Sequence, residues 1–226
     1  MDELDEAIVE LLEGDGRLTH REIARRVGLS RSTAAARVQR LISSGQVVIR
    51  GAVHPAVLGR PVLAHVSVSV DGPAAPVAAD IAGRVDVPFL SLTSGRHGLV
   101  AEIRSPTARD VDMAVAELRA LPGVYEVDTL TYVEVMRDVI GPVGDIYTDI
   151  DATDRALLVA LQADGRASYV DLAERVGLSA AGARRRVLRL IDARVVRIGA
   201  VVRHHGQDRQ SAMGFGIRLV GAHRDV

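Results

Sequence analysis

The chain has 226 residues, 48% of them hydrophobic, with 28 basic and 29 acidic side chains and a formal net charge of −1. It contains no cysteine, which excludes a disulfide framework and a thiolate metal centre. No apolar run reaches membrane-spanning length, and the acidic, amphipathic start MDELDEAI lacks a signal-peptide pattern. The expectation is a soluble, cytoplasmic protein with no membrane partner.

The near-zero charge hides a sorted distribution. Every charge in residues 1–15 is acidic, whereas from Arg17 to Arg50 eight arginines face only Glu22. A second basic stretch, Arg166 to Arg203, sets nine arginines against Asp171, Glu174 and Asp192. Two local cationic segments of this kind are an electrostatic footprint for nucleic acid.

In chain order, Leu4, Ile8, Leu11 and Leu12 form the apolar stripe of a first helix. Thr19 followed by Glu22 is a capping box that opens a second helix. Gly28-Leu29-Ser30 then turns the chain into a third, with Ala34, Val38, Leu41 and Ile42 inward. Two short helices around such a turn predict a helix-turn-helix. Gln46 to Val53 predicts a short strand, and His54 to Pro61 a hinge.

The centre has a different character. Val62 to Val70 alternates as a strand, Ala74 to Arg84 is helical, and Phe89 to Thr93 and Leu99 to Arg104 are strands joined by Ser94-Gly95-Arg96-His97-Gly98. A helix with Val111, Val115 and Leu118 on one face follows, stopped by Leu121-Pro122-Gly123, and Val124 to Met136 predicts a last strand. The order βαββαβ predicts a ferredoxin-like antiparallel sheet covered by two helices.

The opening unit then returns with an offset of about 149 residues. GRLTHREIARRVGLSRSTAAARVQRLISSG from Gly16 is matched by GRASYVDLAERVGLSAAGARRRVLRLIDA from Gly165, with about half of the positions from Asp5 to Ile42 identical. The second copy keeps the turn as Gly177-Leu178-Ser179 and the capping pair as Ser168 and Asp171. The expected organisation is therefore a helix-turn-helix domain at 1–53, a sheet domain at 54–138, a linker at 139–150, a second helix-turn-helix at 151–203, and an incomplete start of a second sheet domain at 204–226. In that last segment Ser211 to Val220 carries Met213, Phe215, Ile217 and Leu219 on one face of a would-be strand. It is expected to order only against an added sheet edge or another protomer.

With the apolar stripe inward, the third helix presents Ser32, Thr33, Ala36, Gln39 and Arg40 outward, with Arg31 at its start. Hydroxyls, an amide and guanidinium groups can bond base edges or phosphate. Thr19 and Ser30 stand at helix N-termini, which suit phosphate. Arg37 lies on the flank and reads as an ion-pair partner. The second copy, entered at Ser179, presents Ala181, Gly182, Arg185, Leu188 and Arg189 outward with Arg184 and Arg186 beside them, a face for neutralising phosphates rather than reading bases. Leu188 is out of place on such a face.

Asp15-Gly16-Arg17, Val27-Gly28-Leu29-Ser30, Arg37-Val38 with Arg40-Leu41, His54-Pro55, Ser94-Gly95 and Leu121-Pro122-Gly123-Val124 together, in this order and spacing, resemble the Lrp/AsnC family of feast/famine transcription regulators. The likeness covers residues 2–138 and resumes at Asp149. The resemblance implies an α+β protein with a winged helix-turn-helix and a ferredoxin-like sensor domain, followed here by a second winged helix-turn-helix. It also implies double-stranded DNA as partner, a homodimer or higher homo-oligomer formed through the central sheet, and effector binding at the turn Thr93, Gly95, Arg96, His97 and Gly98.

Family members that bind amino acids carry acidic residues after the Ser-Gly pair, whereas this turn reads Arg96-His97-Gly98. A small anionic effector held by Arg96 and the turn amides is therefore expected ahead of an amino-acid-like one held by its ammonium group. His97 reads as a loop histidine and His204-His205 as a solvated pair, so no metal, cofactor or catalytic residue is assigned. Nucleophile elbow, P-loop and dinucleotide fingerprints are absent. The rival expectations are a siroheme decarboxylase-like enzyme, because those enzymes resemble the same fold and occur as fused pairs, and a non-sensing architectural DNA-binding protein.

Overall fold

The computed structural model describes residues 1–138 and 141–202. The segment from Ser211 to Val220 and the pair His204-His205 lie outside the described residues.

Each helix of the first unit starts where the sequence supplies a cap. Helix α1 (Glu3–Gly14) is capped by Asp2, α2 (His20–Val27) by Thr19 with a closed Thr19/Glu22 box, and α3 (Arg31–Ser43) by Ser30. Gly28 ends α2 in the left-handed region at φ 70°, a conformation that a side chain would disfavour. Ile8, Leu12, Ile23, Ala34, Val38 and Leu41 are buried where the three helices meet. Strand β1 (Val47–Val53) follows as the wing.

The second unit repeats the plan with α6 (Ala152–Ala163), α7 (Tyr169–Val176), α8 (Ala180–Asp192) and β6 (Val196–Val202), and Gly177 repeats the left-handed cap at φ 68°. Ser168 accepts the Asp171 N–H, but among the described residues Asp171 makes no return bond, so this box is half closed.

The two units are not separate in space. Strands β1 and β6 pair antiparallel from Val47↔Val202 to Val53↔Val196. Helix α1 packs on β6 and α6 packs on β1, so each wing is covered by the other unit's first helix. One continuous core results, running through Leu12, Ile49, Leu161, Leu190 and Ile198.

Between them stands the sheet domain: β2 (Val62–Val70), α4 (Ala74–Ala82), β3 (Phe89–Leu92), β4 (Leu99–Ser105), α5 (Ala108–Arg119) and β5 (Val124–Thr131). The four strands run antiparallel in the order β3-β4-β2-β5, the ferredoxin-like arrangement. Both helices cover one face, burying Val66, Val68, Ile81, Leu99, Ile103, Val115 and Leu118 in a second core. Strand β5 stops at Thr131 rather than running to Met136. Among the described residues its only strand partner is β2, which begins at Val62, so after the Tyr132 N–H bonds the Leu63 carbonyl at 3.0 Å the ladder is all but exhausted.

Candidate nucleic-acid interface

Two buried carboxylates set the orientation of the third helix in each unit. Asp5 is 3% exposed and accepts from Arg37 at 2.8 Å and Arg40 at 2.6–2.7 Å, while Arg37 also bonds Asp2. Asp154, at 1% exposure, accepts from Arg186 at 3.0 Å and from Arg189, and Arg186 also bonds Asp151. Burial is the largest influence on Asp5 and acts to raise its pKa, but bonds from Arg37 and the Asp2 amide and the charge of Arg40 outweigh it, so the group titrates below the ordinary carboxylate value. Asp2 is held down first by Arg37, and Asp151 first by the Asp154 backbone N–H and then by Arg186. Neither aspartate pair was singled out in the sequence. The signal was there as the duplicated spacing Asp5, Arg37, Arg40 and Asp154, Arg186, Arg189.

With α3 held this way, Arg31, Ser32, Thr33, Ala36, Gln39 and Arg40 are exposed. Ser30 caps the helix by accepting the Thr33 N–H at 3.1 Å, and its hydroxyl lies 2.9 Å from Ser32 Oγ and 2.8 Å from Thr33 Oγ1. The three hydroxyls form a cluster at the helix start. Thr19 is exposed at the start of α2, its hydroxyl bonded to Glu22 at 2.7 Å. Arg40 does not stand free, because its guanidinium is bonded to Asp5.

On α8, Ala181, Arg184 and Arg185 are exposed, as is Ser179 before it, and Arg189 is tied to Asp154. Gly182, expected on the outward face, is buried: its N–H bonds Ser179 Oγ at 3.1 Å, and a Cβ there would lie 3.2 Å from the same oxygen. Leu188 is half-buried and finds its company in a cavity of about 530 Å³ that it shares with Tyr169, Ile191, Val143 and Met136.

The sheet domain's turn holds a group the sequence did not bring together. Thr93 Oγ1 bonds the His97 carbonyl at 2.7 Å, and the Gly98 N–H bonds Val68 O at 3.1 Å, which closes Thr93 to Gly98 against β2. His97 Nδ1 lies 2.9 Å from the buried Ser69 hydroxyl, and its Nε2 lies 3.7 Å from Asp128. Arg96 is 3.7 Å from Glu126. The turn therefore does not lack acidic neighbours: they arrive from β5, whose register sets Glu126 opposite Ser69 and Asp128 opposite Ser67. His97, Glu126 and Asp128 place ligand atoms within 4.8 Å of one another, so His97 is not an isolated loop residue. No sequence spacing announces this, since about thirty residues and one helix separate the partners.

The AsnC-type helix-turn-helix domain family model matches residues 1–42 and again 150–191, which are the two helical units. A transcriptional regulator named FL11 from Pyrococcus abyssi is 29% identical over 142 residues, spanning 61% of this chain and 93% of that protein. The chain carries two AsnC-type helix-turn-helix domains. A leucine-responsive regulatory protein from Rhizobium meliloti shares 48% identity over 52 residues, 23% of this chain and 33% of that protein. Among solved structures, E. coli AsnC superposes with a TM-score of 0.51 at 22% identity, covering 61% of this chain and 97% of that one. A transcriptional regulator from Neisseria meningitidis, solved in complex with L-Met, reaches 0.53 at 22% identity over 61% and 93%. These likenesses bear on the fold. With its AsnC-type units and its relatives named as transcriptional regulators, the chain is a DNA-binding transcription regulator.

Proposed function

We propose that this regulator recognises its operator sequence through α3, while α8 grips the neighbouring backbone. The observation that carries the reading is the difference between two equally scaffolded helices. Thr33 and Gln39 are exposed on α3, where each can reach a base edge, and the corresponding positions 182 and 188 of α8 hold glycine and leucine. Arg184 and Arg185 give α8 two exposed guanidinium groups suited to phosphate. The test is a titration of labelled duplex DNA at several salt concentrations. Binding should weaken steeply with salt, and Arg185→Ala should weaken it for every sequence and lower the log–log slope by about 1. Salt-insensitive binding, or none, would overturn the reading.

The sheet domain associates with a second copy and senses a small molecule at the turn from Thr93 to Gly98. Support for association comes from its face opposite the helices, which is uncovered and shows Phe89 and Leu130 about half exposed, in one cross-strand row with His65 and Glu102. The turn region combines Arg96 with Glu126 and Asp128, so it suits a ligand carrying both signs of charge, an amino-acid-like molecule, better than a simple anion. Calorimetric titration with amino acids and with their deaminated carboxylates separates the two. Heat from the amino acid that disappears in Glu126→Gln supports the zwitterion, and equal binding of the carboxylate would sink it.

A further inference from the structure

We infer that one chain carries a complete pair of DNA-reading heads, and that its cognate site is a non-palindromic pair of unlike half-sites, one read by base contacts from α3 and the other held through its phosphates by α8. The inference rests on the DNA-binding reading above and concerns the symmetry of the site.

The first observation is the register of the two wings. Arg50 lies opposite Gly199, its own counterpart at the offset of 149, and Ile49 lies opposite Ala200, the counterpart of Gly51. In a symmetric dimer, the residue on the two-fold axis faces itself. Here each position faces the repeat equivalent of its mirror position, so a local two-fold axis passes between Arg50 and Gly199 within one chain.

The contacts around that axis are reciprocal. The Gly16 N–H bonds Ile198 O at 2.8 Å, and the Gly165 N–H bonds Ile49 O at 2.9 Å. Arg17 donates to the carbonyls of Gly165 and Ala167 at 2.8 and 3.0 Å, and its counterpart Arg166 donates to those of Gly16 and Leu18 at 2.9 and 3.2 Å. Since each wing is also covered by the other unit's first helix, the two units form one body. Two helix-turn-helix units related by a two-fold axis meet successive major grooves about one helical turn apart.

The second observation is where the two copies differ. In α3 and α8, the inward and ion-pairing positions are the same residues: Ala34/Ala183, Arg37/Arg186, Val38/Val187, Arg40/Arg189, Leu41/Leu190 and Ile42/Ile191. The remaining positions differ: Arg31/Ala180, Ser32/Ala181, Thr33/Gly182, Ala35/Arg184, Ala36/Arg185 and Gln39/Leu188, so of the exposed face of α3 only Arg40 recurs in α8. The scaffold is duplicated and the reading face is not. A palindrome would offer α8 the same bases that suit α3, and α8 lacks the groups to read them. Because the clasp holds α8 beside α3 at high effective concentration, a second chain's α3 does not take its place.

Selection of bound fragments from random duplex DNA by the full chain tests this. The expected motif is one information-rich half-site and one information-poor half-site at fixed spacing, and Gln39→Ala should relax preference roughly ten-fold in the rich half alone. Gln39 is exposed, so this change leaves the core intact. Grafting the first face onto the second, with Ala180→Arg, Ala181→Ser, Gly182→Thr, Arg184→Ala, Arg185→Ala and Leu188→Gln together, should turn the selected motif into an inverted repeat of the rich half. If the unaltered chain selects an inverted repeat that Gln39→Ala relaxes on both sides, the inference is overturned while the DNA-binding reading stands. No enrichment of any sequence would overturn sequence recognition itself, and the inference with it.

Discussion

Asp5 shows how one residue can serve both stability and recognition. Its carboxylate is buried, so it stabilises the unit only while Arg37 and Arg40 neutralise it. Because its folded pKa is depressed, this contribution is full above the unfolded value near pH 4 and is lost as pH falls through the folded value. Asp2 and Asp151 act in the same direction, so acid unfolding should begin below about pH 4. Asp5→Asn should cost about 1–3 kcal/mol at neutral pH, a difference that shrinks in urea titrations carried out below pH 4. His20 acts in the same direction, though here it is the charged form that the fold disfavours. Burial first, and then the charges of Arg166 and Arg31, lower its pKa, so the fold binds its proton less readily than the unfolded chain does. Above about pH 6.5 this carries no penalty, and below it stability falls until the folded pKa is reached. The counterpart of His20 is Tyr169, whose ring stacks under Arg17 at 4.5 Å. His20→Tyr should let Arg166 do the same, raising stability by about 0.5–1 kcal/mol and removing the loss below pH 6.5. Thermal unfolding at pH 5.5 and 7.5 measures both effects.

At the scale of elements, the close approach of turn and strand decides how the two units join. A Cβ on Gly165 would sit 2.8 Å from Ile198 Cγ2 and 3.0 Å from the Arg50 carbonyl carbon, and one on Gly199 would sit 2.8 Å from Glu13 O. Gly165→Val should therefore destabilise the protein by about 1–3 kcal/mol through overpacking. The residue lies in the second copy, yet it contacts the first copy's wing. The expected outcome is one cooperative transition of both helical units at lower denaturant, followed by probes placed in each copy. A transition confined to the second copy would show that the shared core does not couple them. In the sheet domain the elements follow their sequence periods, because the alternation in Val62 to Val70 and the stripe of Val111, Val115 and Leu118 place apolar groups on one side only. The end of β5 departs from its sequence because strand length depends on the partner, and β2 has no residue left to offer beyond Val62.

For the whole molecule, the uncovered sheet face and the paired wings are two different surfaces, the first proposed to join chain to chain and the second joining copy to copy within a chain. Leu130→Arg should place a charge on the edge strand β5 of the sheet face and shift the regulator to monomers in sedimentation, leaving the helical pair folded and able to bind DNA. Loss of DNA binding by the resulting monomer would contradict the independence of the two surfaces. Much of this architecture was legible in the chain alone. Caps, glycine turns, apolar periods and the repeat at 149 residues are local or self-referential, so they determined the helices, the strands and the helix-turn-helix units without any distant contact. The pairing of β1 with β6, the exchange of α1 and α6, the ion pairs of Asp5 and Asp154, and the meeting of His97 with Glu126 and Asp128 were decided only by the tertiary structure. Each joins residues about thirty to about one hundred and eighty-five positions apart. Such partners carry no periodic or compositional mark, and the register of a strand or the packing of a helix is what selects them.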